Sequence, residues 1–198
     1  MARYGSDHKR ETRQRIIDSA GRRLKRDGID GSGIATLMAD AGLTNGAFYA
    51  HFTSKDDLVA TTVAAQLRAQ RESYAGQVAE GADVEQIVRE YLSAEHRDNP
   101  AEGCPSAALV DEIGRCDEAT KLAFTDGTLA IVDDLARYLA PTDPASVRGT
   151  VTSMFALMIG TLQLARAVAD QDTSDEILEQ GVRGVLKLWD DPGTDAQR

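Results

Sequence analysis

An all-α fold is what this sequence predicts, and three observations carry that reading. Apolar residues recur at spacings of three and four along almost the whole chain. Strand signals are lacking: β-branched runs are few, and no Asn-Gly pair sits between alternating apolar residues. The prolines fall at the joints between periodic stretches rather than inside them. Together these mark about nine helices.

The first helix is expected from about residue 6 to residue 25. Ile16, Ile17, Ala20 and Leu24 share one face, ringed by Arg13, Arg15, Arg22, Arg23 and Arg26, and Gly28 closes it as a C-terminal cap. Two short helices follow, Ile34–Ala41 and Asn45–His51, separated by Gly42-Leu43-Thr44. A long amphipathic run from Lys55 toward Ala79 opens with Ser54 as N-cap and Asp56 and Asp57 in its first turn. Beyond Gly81, the positions Val84, Ile87, Val88, Tyr91 and Leu92 predict one helix ending near Asn99-Pro100. Leu109, Val110 and Ile113 mark a short helix after Pro105. Leu122, Leu129, Val132, Leu135 and Leu139 mark a longer one that stops at Pro141. The last two helices span about Pro144–Ala169 and Ser174–Trp189, and the closing polar residues 191–198 are expected to be a disordered tail.

Composition bounds the function. With 42% hydrophobic and 27% charged residues among 198, the chain reads as globular. The least charged long window, around Val151 to Val168, contains Gln163 and Arg166 and reads as a buried helix rather than a membrane span. The charged N-terminus has no apolar signal core, and Cys104 and Cys116 make neither a disulfide framework nor a zinc site. A cytoplasmic location with reduced thiols, no cofactor and no membrane partner follows as an expectation. The net charge of −10 argues against nucleic acid until its distribution is considered. Residues 1–55 hold ten Lys/Arg against six Asp/Glu, whereas the remainder holds 12 against 26. A basic head on an acidic body is the charge pattern of a small anion-binding module attached to a domain that never touches the anion.

Residues 28–58 are the informative stretch. A helix, a tight turn at Gly42 and a second short helix form the layout in which the second helix enters a major groove. Ile34, Leu37, Met38, Ala41 and Leu43 supply the small core between them, and Phe48 and Phe52, four apart, aim two rings at it. The opposite face carries Thr44, Asn45, Gly46, Ala47, Tyr49 and His51, short or hydrogen-bonding groups suited to base edges and phosphates. The segment resembles the DNA-binding domain of the TetR family. The resemblance rests on Gly28, Ile34, Leu37-Met38-Ala39, Ala41-Gly42-Leu43-Thr44, Phe48-Tyr49, His51-Phe52 and Ser54-Lys55-Asp56-Asp57-Leu58, and it covers roughly the first 60 residues. It departs at Leu37-Met38, where the family favours Ile-Ala, and at Gly33, where Thr or Ser usually opens the first helix. Ser32 is then expected to cap that helix one position earlier. By resemblance, Tyr49 and Lys55 contact phosphates, Asn45 and Ala47 face bases, Gly46 admits close approach, and Thr44 and His51 flank them.

For the rest of the chain the resemblance implies a helical body that dimerises through its last two helices and encloses a small-molecule cavity. The division is expected at residue 58, with the body at 59–190. Val151, Met154, Phe155, Met158, Leu162 and Ala165 on one helix, and Ile177, Leu178, Val182, Val185, Leu186 and Trp189 on the next, supply apolar faces, some of which must pack inward. Tyr91, His96, Cys104, Phe124, Met154 and Met158 are candidate cavity residues for an apolar or aromatic effector. Cys104 opens a helix within Gly103-Cys104-Pro105, where a thiol can sense electrophiles, although a small buried hydrophobe is the commoner role. The expected function is a repressor that an effector releases from double-stranded operator DNA. A ligand-independent or thiol-sensing DNA binder is the alternative. His8, His51 and His96 are scattered and form no catalytic or metal-binding constellation, so no enzyme activity is expected.

Overall fold

A computed structural model describes residues 2–190, with side chains described from residue 7 onward, so the expected tail at 191–198 lies outside the described residues. The described residues are all helix and connecting turn. In chain order the helices are α1 (Ala2–Asp27), α2 (Ile34–Asp40), a 3₁₀ helix (Asn45–Ala50), α3 (Lys55–Ala79), α4 (Val84–Tyr91), α5 (Ala94–Asp98), α6 (Pro105–Ile113), α7 (Glu118–Leu139), α8 (Pro144–Ala167) and α9 (Gln171–Asp190). The 84–99 stretch, expected as one helix, is two. Leu92 leaves helical geometry at ψ 40°, and the Ser93 hydroxyl then accepts from the His96 N–H to cap a new helix. Periodicity alone does not register such a break, because Leu92 stays buried on the same face.

α1, α2 and the 3₁₀ helix gather around Ile16, Ile17, Ala20, Leu24, Leu37, Met38, Phe48 and Phe52, each nearly or fully buried. Gly28 ends α1 at φ +80°, and its N–H bonds the Leu24 carbonyl. A side chain there would strain the backbone and meet the Glu112 carboxylate at 2.6 Å. α2 lacks the cap expected of Ser32: that hydroxyl donates back to the Gly28 carbonyl at 2.7 Å, and Gly33 occupies the N-cap position without a side-chain bond.

Helix α3 runs unbroken from head to body, so residue 58 falls inside a continuous helix. Its body portion lies along α7, where Gly127 lets Leu67 approach closely. α8 and α9 pair along Gly181, which seats the Thr161 side chain. By length and composition α8 is apolar enough to cross a membrane. In the fold, Val151, Met154, Phe155, Met158, Leu162 and Ala165 turn it into the core.

Candidate functional site

The head presents the 3₁₀ helix on its surface. Six residues are too few for a cooperative α-helix, and two buried rings pin the segment from below. Phe48 and Phe52 lie 5.8 Å apart, and the Arg13 guanidinium sits 4.7 Å over the Phe52 ring while its Nη2 donates to Thr61. In a 3₁₀ helix, side chains three apart eclipse, so Gly46 and Tyr49 share one edge. Gly46 has no side chain to crowd that edge, and the Tyr49 ring stands 72% exposed, edge-on to Phe48 at 5.1 Å. Thr44 and Asn45 are exposed beside it.

The remaining candidates take different positions. Ala47 is half-buried and packs against the core. His51 is half-buried, with Nδ1 shut away from solvent and unpartnered. Burial, helped by Lys9 and Arg13, pushes its pKa below the ordinary histidine value, so the ring is neutral. Lys55 folds back, and its ammonium donates to the Ile29 carbonyl at 2.6 Å. The sequence alone does not single out Lys9, although its charge on helix α1 lies near His51.

The body holds a cleft of about 590 Å³. Of the residues that the sequence suggests for a cavity, Tyr91, His96 and Cys104 line this cleft. Met154 and Met158 instead border a neighbouring apolar cavity of about 30 Å³, and Phe124 packs half-buried against the core away from both. The cleft wall is largely polar, with Gln66, Gln70, Ser73, Gln77 and Asn99 among its side chains. His96 Nδ1 lies 2.7 Å from the Tyr91 carbonyl, and Nε2 lies 2.9 Å from the Cys104 N–H. A carbonyl only accepts and an N–H only donates, so this geometry fixes a neutral ring protonated on Nδ1. Burial lowers the His96 pKa in the same direction, against the bond to Tyr91. Cys104 is fully buried at the start of α6, as expected of a small apolar residue.

Three further residues of the cleft and its supports carry no local sequence signal. Tyr74 of α3, seven after Leu67 on the same apolar face, lines both the cleft and the apolar cavity. Lys25, at helical spacing from Ile17 and Gly21, is nearly buried and donates to the Gly103 carbonyl at 2.9 Å. Burial pushes its pKa down. Glu112, at the far end of α6, accepts from the Ile29 and Asp30 N–H groups at 2.8 and 3.0 Å. Helix α6 is therefore bonded to the head at both ends. The adjoining α5 is held to the last two helices: Arg166 of α8 donates to the His96 and Arg97 carbonyls, and Arg97 pairs with Asp175 of α9 at 2.5 Å.

The sequence pattern of bacterial regulatory proteins of the tetR family matches residues 16–62, the segment that forms this head. The head therefore carries the sequence pattern of the tetR family. The regulator AcrR of Shigella flexneri is 40% identical over 58 residues, 29% of this chain and 27% of that protein, so the chain matches about a quarter of its relative's length. The fold extends further than the sequence likeness. A TetR-family regulator from Cytophaga hutchinsonii superposes with a TM-score of 0.74 at 20% identity, covering 91% of this chain and 96% of that one. NemR of E. coli in its reduced form superposes at 0.73 with 19% identity, covering 89% and 96%. At these identities, the structural neighbours establish the shared fold of helix-turn-helix head and helical body.

Proposed function

We propose that this chain is a dimeric repressor of the TetR type, whose head, residues 1–58, binds operator DNA and whose body, 59–190, releases it on taking up a small molecule. The observation that carries the reading is the two-sided 3₁₀ helix. Phe48 is fully buried while Tyr49, its neighbour, is 72% exposed, and Asn45 and Gly46 are exposed on the same basic module. Leaving a large ring in water has no packing benefit for a monomer, and it suits contact with a partner surface. Tyr49 is placed on phosphate and Asn45 on base edges, with Thr44 beside them. Lys55 spends one of its three N–H donors on Ile29, and a remaining one is placed on phosphate. His51 and Ala47 support this surface from its half-buried side.

Two heads must reach successive grooves about 34–36 Å apart, which requires a second copy. The dimer surface differs from the residues that periodicity alone suggests. Met154 and Phe155 are buried within the chain, whereas Leu157 and Leu164 of α8 are exposed at 37% and 56% and, with Ile177 and Gly184 of α9, border a shallow groove. Continuity of these faces supports a four-helix interface. Release is supported by the bonds of α5 and α6, which tie the cleft wall to the head and to α8 and α9. The polar wall favours an effector with polar groups beyond the apolar or aromatic character expected from the sequence. The second reading, a DNA binder without a ligand, has no comparable explanation for a cleft of about 590 Å³.

The test is selection of bound duplexes from random-sequence DNA, followed by footprinting of the winner. The expected result is a palindromic site with two protected half-sites about one helical turn apart. Leu164→Glu should leave the fold intact, give monomers in sedimentation and abolish that footprint. A single protected half-site bound equally well by monomeric Leu164→Glu contradicts the proposal.

A further inference from the structure

Several polar groups in and beneath the cleft are buried without partners, three of them hydroxyls and one, Gln77 Oε1, an acceptor. The hydroxyls of Tyr74 and Tyr91 are shut away from solvent with no partner, in residues that line the cleft and are themselves about 95% buried. Ser106, fully buried in the first turn of α6, has an equally unpartnered hydroxyl. Helix α6 begins here without a side-chain cap, in contrast to α3, α4, α5, α7 and α8, whose first residues are capped by Ser or Asp. Lys25 lines the same cleft. Among the described residues it forms no salt bridge, and its ammonium is bonded to the Gly103 carbonyl, leaving two N–H donors.

Hydroxyls buried without partners are unusual, because each forfeits its bonds to water. Several of them beside an uncapped helix start and a desolvated ammonium describe a site that lacks its acceptor. A neutral acceptor satisfies the hydroxyls but adds no charge beside the ammonium, on which Glu102 acts only through space, or at the positive end of α6, whereas a carboxylate answers these donors. Tyr91 remains a donor at any working pH, because burial and the neighbouring Cys104 thiol push its pKa well above the ordinary value. Glu90, Glu95 and Glu102 also border the cleft, but they are exposed, and solvent and salt screen their repulsion.

We infer that the effector is a small carboxylic acid, whose carboxylate is held by Lys25 and the hydroxyls of Tyr74 and Tyr91 at the start of α6. The inference rests on the reading of this cleft as the effector site. It makes the uptake of the ligand a local event at Gly103, the residue whose carbonyl links α6 to α1 of the head.

Calorimetry on the full chain, without DNA, tests it with hexanoate, octanoate, benzoate and phenylacetate beside the primary amides of the same acids. At least one acid should bind with one molecule per chain, and its amide about tenfold or more weaker. Tyr91→Phe should weaken the acid by about tenfold while leaving the melting temperature of the ligand-free protein unchanged or higher, since it removes a hydroxyl with no partner. Lys25→Met should weaken it further, in a chain whose circular dichroism confirms the fold. Amides that bind as well as acids, no binding by any acid, or full affinity in Tyr91→Phe would each overturn the inference. Operator release, measured separately, keeps the two readings apart. An uncharged compound that binds and releases DNA leaves the repressor reading standing and removes the carboxylate. An acid that binds through Tyr91 while DNA stays bound does the opposite.

Discussion

On the 3₁₀ helix of the head, Thr44, Asn45 and Tyr49 face water while Phe48 beneath them is sealed. In the body cleft the arrangement is reversed: the hydroxyls of Tyr74 and Tyr91 are buried without partners and the mouth is lined by exposed glutamates. The head surface thus keeps most of its polar groups in water, His51 Nδ1 being the one among its described residues that is buried and unpartnered. The cleft carries polar groups whose burial costs about 1–3 kcal/mol each while unpaired. A ligand that pairs them therefore gains more than its own contacts, and that gain is available to shift the position of α6. The proposed DNA surface and the proposed effector cleft differ in how many of their polar groups are left buried and unpaired.

The first way to break this comparison is to cut the connection between the two regions. Glu112→Ala removes the acceptor for the Ile29 and Asp30 N–H groups. It should cost about 2 kcal/mol in urea unfolding, because charge-assisted bonds to two backbone donors disappear. Hydrogen exchange at residues 29 and 30 should quicken, while the amides of α8 and α9 stay protected. Unchanged exchange at 29 and 30 would mean that α6 does not hold the head.

A smaller effect sharpens the description of the cleft wall. The folded chain holds His96 neutral, with its pKa below the ordinary 6.5. The unfolded chain then binds the proton first as pH falls, so stability is full above about 6.5 and declines as the solution is acidified toward the folded pKa. His51 contributes in the same direction. His96→Asn should therefore flatten, without abolishing, the fall in melting temperature between about pH 7 and pH 5. An identical pH profile in the variant would remove His96 from the proposed set of bonds around Tyr91 and Cys104.

How much of this is legible in the sequence follows from where the information lies. Helix positions and the head are readable because Ile16, Ile17, Ala20, Leu24, Phe48 and Phe52 act through local spacing, and spacing is preserved in a linear text. The break at Leu92 is not, since the capping bond from Ser93 competes with an apolar pattern that continues through it. Of the six residues that residue type suggests for a cavity, Tyr91, His96 and Cys104 line the cleft, whereas Met154 and Met158 border the apolar cavity and Phe124 lines neither. Lys25 and Glu112 act across 78 and 83 positions of chain, so no local pattern distinguishes them from ordinary solvated charges. Helix α8 shows the same limit: periodicity finds an apolar face on it, but only packing tells that Met154 and Phe155 face inward and Leu157 and Leu164 outward.

The most direct test of the head as a DNA reader is the salt dependence of binding to the selected operator, compared for Lys55→Ala and Asn45→Ala in chains with unchanged helical circular dichroism. Lys55→Ala should weaken all sequences alike and lower the slope of log K against log salt by about 0.9 for each phosphate it no longer neutralises. Asn45→Ala should leave the slope nearly unaltered and relax preference at one base position by about 1–3 kcal/mol. The reverse pattern, with base preference changed by Lys55→Ala and only salt dependence by Asn45→Ala, would contradict the assignment of this surface.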